Sequence, residues 1–188
     1  MNVMAMSARS TGALRIPVGR ARWVTIRPIE SSDRDDLFGF YRGLSPAATF
    51  ARFMGMGTEL AAEAADRFAC ANHTSADGLI AVLHEAGPDD GRIVGHLCME
   101  PDGTGAEEIA VAVAEGFRGR GIGTALMHEA VQSAHRRRVP RLTASMFATN
   151  QAMRRLMLDA GPPAIVDELD AGVEAIELDA AVPVSDRG

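Results

Sequence analysis

The stretch EGFRGRGIGTALMHEAV, residues 115 to 131, joins three alternating glycines to an apolar helical pattern. Gly119, Gly121 and Gly123 come directly before the predicted helix, and Arg118 and Arg120 lie beside them. The first turn of a helix has N–H groups without partners inside the helix, and the helix dipole adds positive potential there. Because glycine has no side chain to cover these amides, the stretch predicts an anion site, best suited to a phosphate or pyrophosphate.

The segments on either side of this stretch predict a mixed sheet. We expect a strand over residues 107–113, then the glycines, a helix to about residue 138 and a strand over residues 141–147. A strand–helix–strand unit of this kind places its strands parallel through a right-handed crossover. Upstream, residues 78–85 and 92–100 predict two more strands, which form an antiparallel meander with 107–113.

The whole chain of 188 residues fits one domain of the α/β (α+β) class. A first strand is predicted over residues 23–29, three helices precede the meander, and a last strand pair lies on either side of Asp170–Gly172. We expect a mixed, mainly antiparallel twisted sheet of about six to seven strands with helices on both faces. The predicted domain covers residues 21–181, between a flexible N-terminal tail, residues 1–20, and a C-terminal tail, residues 182–188.

Composition argues against several classes of function. The content of 47% hydrophobic and 23% charged residues is ordinary for a soluble globular protein, and no apolar run reaches the roughly 20 residues of a membrane helix. The formal net charge of −6 argues against a nucleic-acid partner, which usually requires a basic face. The 19 basic residues are all arginine, so the lysine of a P-loop nucleotide site is missing. We therefore predict neither a membrane nor a nucleic acid as partner.

Cysteines and histidines do not indicate a disulfide framework or a metal site. Cys70 and Cys98 are interpreted as buried neutral thiols, which favours a cytoplasmic location. The five histidines have no spacing typical of a metal site, and we predict that no metal is bound. His84 and His96 are expected to face each other across a hairpin and to serve in packing.

Three interpretations of the glycine stretch are open. A dinucleotide-binding fold requires its third glycine where Thr124 stands, and it is not built on an antiparallel meander. A glycine-rich turn that only allows close packing of helix against strand needs no ligand. The third interpretation is a pyrophosphate site for a coenzyme, in which the glycines leave the amides accessible.

The sequence RGRGIGTAL, residues 118–126, resembles the Arg/Gln-x-x-Gly-x-Gly/Ala motif of the GCN5-related N-acetyltransferase (GNAT) family. The resemblance covers roughly residues 23–180. Within the family, GLSPAATFARFM (43–54) and NQAMRRLMLDAG (150–161) are similar to segments of bacterial protein lysine acetyltransferases. The resemblance implies acetyl-CoA as cosubstrate and direct transfer of its acetyl group to a primary amine, with a protein lysine favoured over a small amine.

The same resemblance implies that the coenzyme contacts the glycine loop, the main chain of the preceding strand and the residue that begins the next helix. These residues are Val111, Ala112, Val113, Arg118, Gly119, Arg120, Gly121, Ile122, Gly123, Thr124 and Asn150. A strand N–H near Val113 would also stabilise the thioester oxygen as charge develops on it. For Asn150 a second interpretation is open, because asparagine is a common N-cap of helices.

Transfer to an amine is helped by a base, since alkyl amines are mostly protonated at neutral pH. Glu108 matches the glutamate that similar protein acetyltransferases place just before this strand, so the resemblance implies that Glu108 is the general base. The other interpretation of Glu108 is a solvated charge at a strand end. Glu107 points to the opposite face because strand side chains alternate, which makes it the natural control.

Two positions depart from the family pattern. Many members have a tyrosine seven residues after the asparagine, as the acid for the leaving thiolate, and this chain has Met157 there. Pro162 stands where the family usually has phenylalanine. The general acid is therefore unassigned, and a catalytically weak or inactive acyl-CoA-binding sensor is the alternative to an enzyme. The oligomeric state is also open, with a homodimer among the candidates.

Overall fold

A computed structural model of the chain describes residues 15–53, 58–70, 73, 77–168 and 172–182. Within these residues the α-helices, α1 to α5 in chain order, are Arg34–Arg42, Pro46–Phe53, Thr58–Ala69, Ile122–Arg137 and Gln151–Leu158. The strands, β1 to β8, are Arg15–Gly19, Arg22–Pro28, Asp77–His84, Ile93–Pro101, Glu107–Val113, Arg141–Phe147, Ala164–Glu168 and Val173–Asp179. Single turns of 3₁₀-helix cover Ser31–Asp33 and Glu115–Phe117.

The eight strands form one sheet in the order β1-β2-β3-β4-β5-β6-β8-β7. Every neighbouring pair is antiparallel except β5 and β6, which are parallel and are joined through helix α4. The predicted mixed, mainly antiparallel sheet is therefore confirmed. The predicted final strand pair is β7 and β8, and the turn around Asp170 lies outside the described residues. No helix in the described part of the chain is long and apolar enough to cross a membrane.

The domain begins earlier in the chain than predicted, and the additional segment forms strand β1, which brings the number of strands to eight. β1 pairs with β2, and Val18 is only 3% exposed in the core, so residues 15–20 are part of the domain and not of a tail. The strand was missed because it has five residues and contains Pro17, which an edge strand tolerates. Residues 1–14 and 183–188, the rest of the two predicted tails, lie outside the described residues.

Two hydrophobic clusters lie on opposite faces of the sheet, as expected for helices on both faces. Helices α1 to α3 cover one face, where Leu37, Tyr41 and Ile80 share a cluster. Helices α4 and α5 cover the other face, and the apolar positions predicted for α4 are buried there: Leu126, Met127, Ala130, Val131 and Ala134. Gly95 of β4 lets α4 approach closely, because a Cβ atom there would lie 3.2 Å from the Leu126 side chain. The start of α4, and with it the glycine loop, therefore lies directly over the sheet.

Asp33 joins the second strand to helix α1. Its carboxylate, in a residue only 6% exposed, accepts from the Arg27 guanidinium at 2.6 and 2.7 Å and from the Glu30 N–H at 2.8 Å. The bonds from Arg27 and then Glu30 outweigh burial and hold the pKa of the Asp33 carboxyl below its usual range. Because the folded pKa is the lower one, this stabilisation is present above the unfolded pKa of about 3.9 and is lost as the pH falls through the folded pKa.

We expect Asp33→Asn to be less stable than the wild type by about 1–3 kcal/mol at pH 7, because Arg27 loses its charged acceptor. The difference should shrink as the pH falls from about 3.9 through the lower folded pKa, because the wild-type carboxylate then also becomes protonated. Urea unfolding at pH 7 and at low pH measures both free energies. A difference that stays constant between the two conditions would show that the charge of Asp33 does not stabilise the fold.

The predicted arrangement of histidines and cysteines needs two corrections. His84 lies opposite Trp23 of β2, and His96 lies opposite Ile80, four residues before His84 in β3, so the two histidines do not face each other. Of the two cysteines, Cys70 is exposed, and only the other is buried as expected. In the described residues, no group of three His, Cys, Asp or Glu side chains could hold a metal ion.

Strands β5 and β6 separate soon after they begin. Their registered pairs are Glu107 with Leu142 and Glu108 with Thr143, at or near the first residues of both strands. Residues 110–113 of β5 are half-buried, whereas the β4 residues that pair with them are buried. Because these four residues alternate between the two faces, the sheet has an opening between β5 and β6 that reaches both faces.

Candidate active site

The glycine stretch forms a loop at the carboxyl end of β5, beside the opening. Phe117, which ends the 3₁₀ turn, is 7% exposed and anchors the start of the loop in the core. Gly119 and Gly121 follow with φ of 70° and 83°, in the left-handed region that favours glycine. A Cβ atom on either residue would meet nothing within 4 Å, so the space in front of the loop is open. This open space leaves room for a phosphate or pyrophosphate.

The loop leaves several main-chain donors without partners. Among the described residues, no carbonyl accepts from the N–H groups of Gly119, Gly121 or Gly123. Gly121 is the N-cap of the 16-residue helix α4, so these donors lie at the positive end of its dipole. Gly123 has a packing role as well, because a Cβ atom there would lie 3.2 Å from the Leu156 side chain of α5. The geometry supports the predicted anion site, and close helix packing also explains Gly123.

The two arginines of the loop bind main-chain carbonyls. The Arg118 Nε donates to the Val113 carbonyl at the end of β5 at 3.1 Å. Arg120 donates to the Val18 carbonyl of β1. The structure therefore ties the loop to two strands, one at the opening and one at the far edge of the sheet.

Three more of the predicted coenzyme residues lie at the starts of helices. Ile122 is 1% exposed, so only its main chain can reach a ligand, whereas Thr124 is exposed in the first turn of α4. A cavity of about 190 Å³ lies between α4 and α5 beside Thr124. The Asn150 side-chain oxygen accepts from the Met153 N–H at 3.2 Å and caps α5. The N-cap interpretation of Asn150 is confirmed, and its contact with a coenzyme stays a prediction.

The hydrogen-bond pattern of β5 decides which of its main-chain groups face the opening. The N–H of Ala114 donates to the Val94 carbonyl of β4 at 2.9 Å, and in an antiparallel pair alternate residues point to the same neighbour. Ala112 therefore points its main chain to β4, while Val111 and Val113 point theirs into the opening. The donors directed into the opening are therefore the N–H groups of these two valines, whereas the Val113 carbonyl there already accepts from Arg118. The main chain of Ala112 therefore does not face the opening, and its predicted contact with the coenzyme stays a prediction.

Glu108 lies near the other end of β5 and is exposed. Its neighbours in the sheet are Glu100 of β4, which is bound by Arg67 at 2.6 Å, and Thr143 of β6. Glu108 itself has no ion pair among the described residues. The rise of a strand places it about 16 Å from Val113, on the face of the sheet that α1 to α3 cover.

Glu107 cannot be used as the control residue for Glu108 that the sequence suggested, because its side chain is buried and paired. It is 5% exposed, and both of its carboxylate oxygens accept from the Arg137 guanidinium of α4, at 2.5 and 2.6 Å. The Arg137 Nε also lies 3.7 Å from the Asp77 carboxylate. Glu107 thus belongs to a buried ion-pair network, which sequence reasoning missed because it depends on the packing of α4 against the start of β5.

Comparison with known proteins identifies the family. The profile of the acetyltransferase (GNAT) family matches residues 58–161, which include the glycine loop, the opening and both helices beside it. The chain belongs to the GNAT family. An acetyltransferase of Pseudomonas aeruginosa is 31% identical to it over 144 residues, covering 74% of this chain and 75% of the relative.

Solved GNAT structures share the fold. The GNAT domain of S. lividans PAT superposes with a TM-score of 0.75 at 22% identity, covering 92% of this chain and 99% of that domain. The protein yncA of Salmonella typhimurium, solved with its cofactor acetyl-CoA, superposes with a TM-score of 0.64 at 17% identity, covering 86% and 96% of the two chains. The eight-stranded sheet that opens between β5 and β6 is therefore a GNAT architecture.

Neither Tyr41 nor Met157 offers a proton to a thiolate in the GNAT opening. Met157 is 0% exposed in the core under α5. The hydroxyl of Tyr41, the single tyrosine of the sequence, is 2.8 Å from His96 Nδ1, and the residue is 2% exposed. Burial raises the pKa of Tyr41 and keeps the phenol neutral, while burial lowers the pKa of His96 and keeps the imidazole neutral. The two side chains form a neutral buried pair beneath α1.

One contact across the GNAT opening was not foreseen from the sequence. Phe50 of α2 stacks on Phe147 at the end of β6, with ring centroids 5.3 Å apart and planes 10° apart. Helix α2 therefore reaches from the β5 side of the opening to the β6 side, on the face where Glu108 lies. No sequence signal could indicate this pair, because the two aromatics are far apart in the chain and belong to separate elements.

Proposed function

We propose that this chain is an acyl-CoA-dependent N-acetyltransferase that moves the acetyl group of acetyl-CoA directly to a primary amine. The observation that carries this proposal is the combination of a loop with unpaired amides and a strand edge with two free N–H groups, both beside an opening through the sheet. Membership of the GNAT family supports the same reaction.

The coenzyme would be bound by main-chain groups of the loop and of β5. The amides of Gly119, Gly121 and Gly123 suit the pyrophosphate, because they lie together at the positive end of α4. Val111 and Val113 can pair with the amide groups of the pantetheine arm, as an added strand pairs with a sheet edge. When bound, acetyl-CoA supplies an activated thioester. One of the two valine N–H groups can then donate to its carbonyl oxygen as charge develops there.

We assign the role of general base to Glu108. An alkyl amine titrates near 10.4, so at neutral pH a base must remove a proton before the nitrogen can attack. Glu108 is exposed, has no ion pair among the described residues, and lies on the opposite face of the sheet from α4. An amine that approaches from this face would meet the carboxylate first, and because Glu108 lies about 10 Å along β5 from Val111, water would relay the proton from the attacking nitrogen to the carboxylate. The segment 43–54, similar to that of protein lysine acetyltransferases, favours a protein lysine over a small amine as acceptor.

A coenzyme sensor without activity is the second candidate. It is favoured by the burial of Met157 and Tyr41, because neither side chain can act as the acid for the leaving thiolate. In the enzyme hypothesis water protonates the thiolate at the opening. The two candidates share the binding site and differ only in turnover.

Binding and turnover separate the candidates. Acetyl-CoA at 100 times its dissociation constant should stabilise the protein by about 2.7 kcal/mol in thermal unfolding. Release of free thiol in the presence of lysine peptides, small amines or aminoglycosides then reports transfer. Stabilisation without thiol release for any acceptor would favour the sensor. Absence of stabilisation would contradict both candidates.

The cellular location and the oligomeric state of the protein are also proposals. We propose a cytoplasmic location, because the exposed Cys70 is a free thiol, and a reducing compartment preserves such a thiol. We also keep a homodimer as a proposal for the solution state. Light scattering during gel filtration measures the mass and decides between monomer and dimer.

A further inference from the structure

The N-terminal hairpin, defined here as residues 15–28, carries a bulge beside the coenzyme loop. Pro17 pairs with Trp23 and Gly19 pairs with Arg22, so the register shifts at Val18, which has no partner in β2. A bulged residue is left out of the ladder, and its main-chain groups are free to bond elsewhere. The Val18 carbonyl accepts from the guanidinium of Arg120, in the middle of the glycine loop.

Two further contacts hold the hairpin against the loop. The side chain of Val18 is 3% exposed and shares a cluster with Phe117, two residues before Gly119, and with Ile122, directly after Gly121. The guanidinium of Arg22 lies over the Phe117 ring, 5.4 Å from its centroid. The hairpin therefore contacts the segment before the loop and the loop itself, and it shares a hydrophobic cluster with the start of α4.

The loop has little support of its own. Gly119 and Gly121 flank Arg120, have positive φ and would meet no atom within 4 Å even if they carried a Cβ. A chain of this kind loses much conformational entropy when it is fixed, so its position must come from contacts with its neighbours. Among the described residues, Arg120 is the loop side chain that reaches beyond β5 and α4.

We propose that Arg120 is a positioning residue that fixes the coenzyme loop by holding the bulged carbonyl of Val18, so that order in the hairpin and affinity for acetyl-CoA are coupled. This inference rests on the proposed function, and it reassigns Arg120 from a phosphate ligand to a support of the amides. Coupling of this kind is reciprocal: coenzyme that orders the loop must stabilise the hairpin by the same factor.

Hydrogen exchange of the hairpin amides, with and without acetyl-CoA, tests the proposal on the full chain. Arg120→Ala should speed exchange of residues 15–28 in the free protein, and should raise the dissociation constant of acetyl-CoA about five-fold or more. In the wild type coenzyme should slow hairpin exchange, and in Arg120→Ala this slowing should be lost. Arg120→Gln keeps an N–H donor without the charge, and should recover part of the affinity and of the hairpin protection.

Arg136→Ala is the matched control, because Arg136 is exposed at the opposite end of α4. It should change neither the exchange nor the affinity. Weaker coenzyme binding in Arg120→Ala with unchanged hairpin exchange would overturn the proposal, since it would make Arg120 a direct phosphate contact. Unchanged affinity would overturn it as well. If the wild type itself did not bind acetyl-CoA, both the proposed function and the coupling would be contradicted. Hydrogen exchange in the free protein would still show whether Arg120 stabilises the hairpin through Val18.

Discussion

Glu108→Gln is expected to lower kcat by about 10²–10⁴-fold, the usual contribution of a positioned general base. The amide keeps the size of the side chain but cannot accept a proton from the ammonium of the acceptor. The affinity for acetyl-CoA should stay close to that of the wild type, because Glu108 lies about 16 Å along β5 from the residue next to the loop. Thiol release at saturating substrates measures kcat, and thermal shift measures the affinity.

The pH dependence gives this variant a second readout. Activity of Glu108→Gln should rise toward the amine pKa near 10.4, because the free amine then forms without a base. Glu63→Gln, an exposed carboxylate on α3, is the control and should behave as wild type. Glu107→Gln cannot serve as the control variant, because it would break the buried ion pair between Glu107 and Arg137. If Glu108→Gln turned over as fast as the wild type, Glu108 would not be the general base and would be only a solvated charge at the end of the strand.

Arg137→Ala is expected to lower the free energy of unfolding by about 3–5 kcal/mol, the usual cost of removing one partner from a buried ion pair. Glu107 and Asp77 are 5% and 6% exposed, and both would lose a cation. The bond to Glu107 is the main cause that raises the pKa of Arg137, so the guanidinium is charged at any accessible pH. Urea unfolding at neutral pH measures the change.

Arg136→Ala, one residue earlier and exposed, should change the free energy of unfolding by no more than about 0.5 kcal/mol. Replacing both Arg137 and Glu107 by apolar residues should lower the free energy of unfolding less than Arg137→Ala alone does. The double replacement leaves no unpaired buried charge at position 107. Equal effects of Arg137→Ala and Arg136→Ala would show that the network contributes nothing to stability.

The parts of the site that sequence could predict are those set by neighbouring residues. The glycine loop and α4 follow from one continuous stretch, in which glycine spacing and the 3.6-residue apolar period can be read directly. The crossover between β5 and β6 followed from the order of elements, because the handedness rule leaves one arrangement. The family motif then added the coenzyme, which local chemistry alone left as an unspecified anion.

The parts that sequence missed depend on register and on contacts between distant segments. The main-chain direction of Ala112 is fixed by the bond from Ala114 to β4, and no side chain signals that alternation. The burial of Arg137 depends on how α4 crosses the start of β5. β1 was missed because five residues with a proline and a bulge give no strand period.

The opening between β5 and β6 affects how large an acceptor the protein can accommodate. Because this opening passes through the whole sheet, the coenzyme and the acceptor can enter from opposite faces. The nucleotide end of the coenzyme then occupies no space on the acceptor face. If the acceptor is a protein lysine, as proposed above, a folded protein can present that one side chain on its face of the sheet without displacing the coenzyme. On this face helix α2 spans the opening through the contact of Phe50 with Phe147, and it limits the room for such an acceptor.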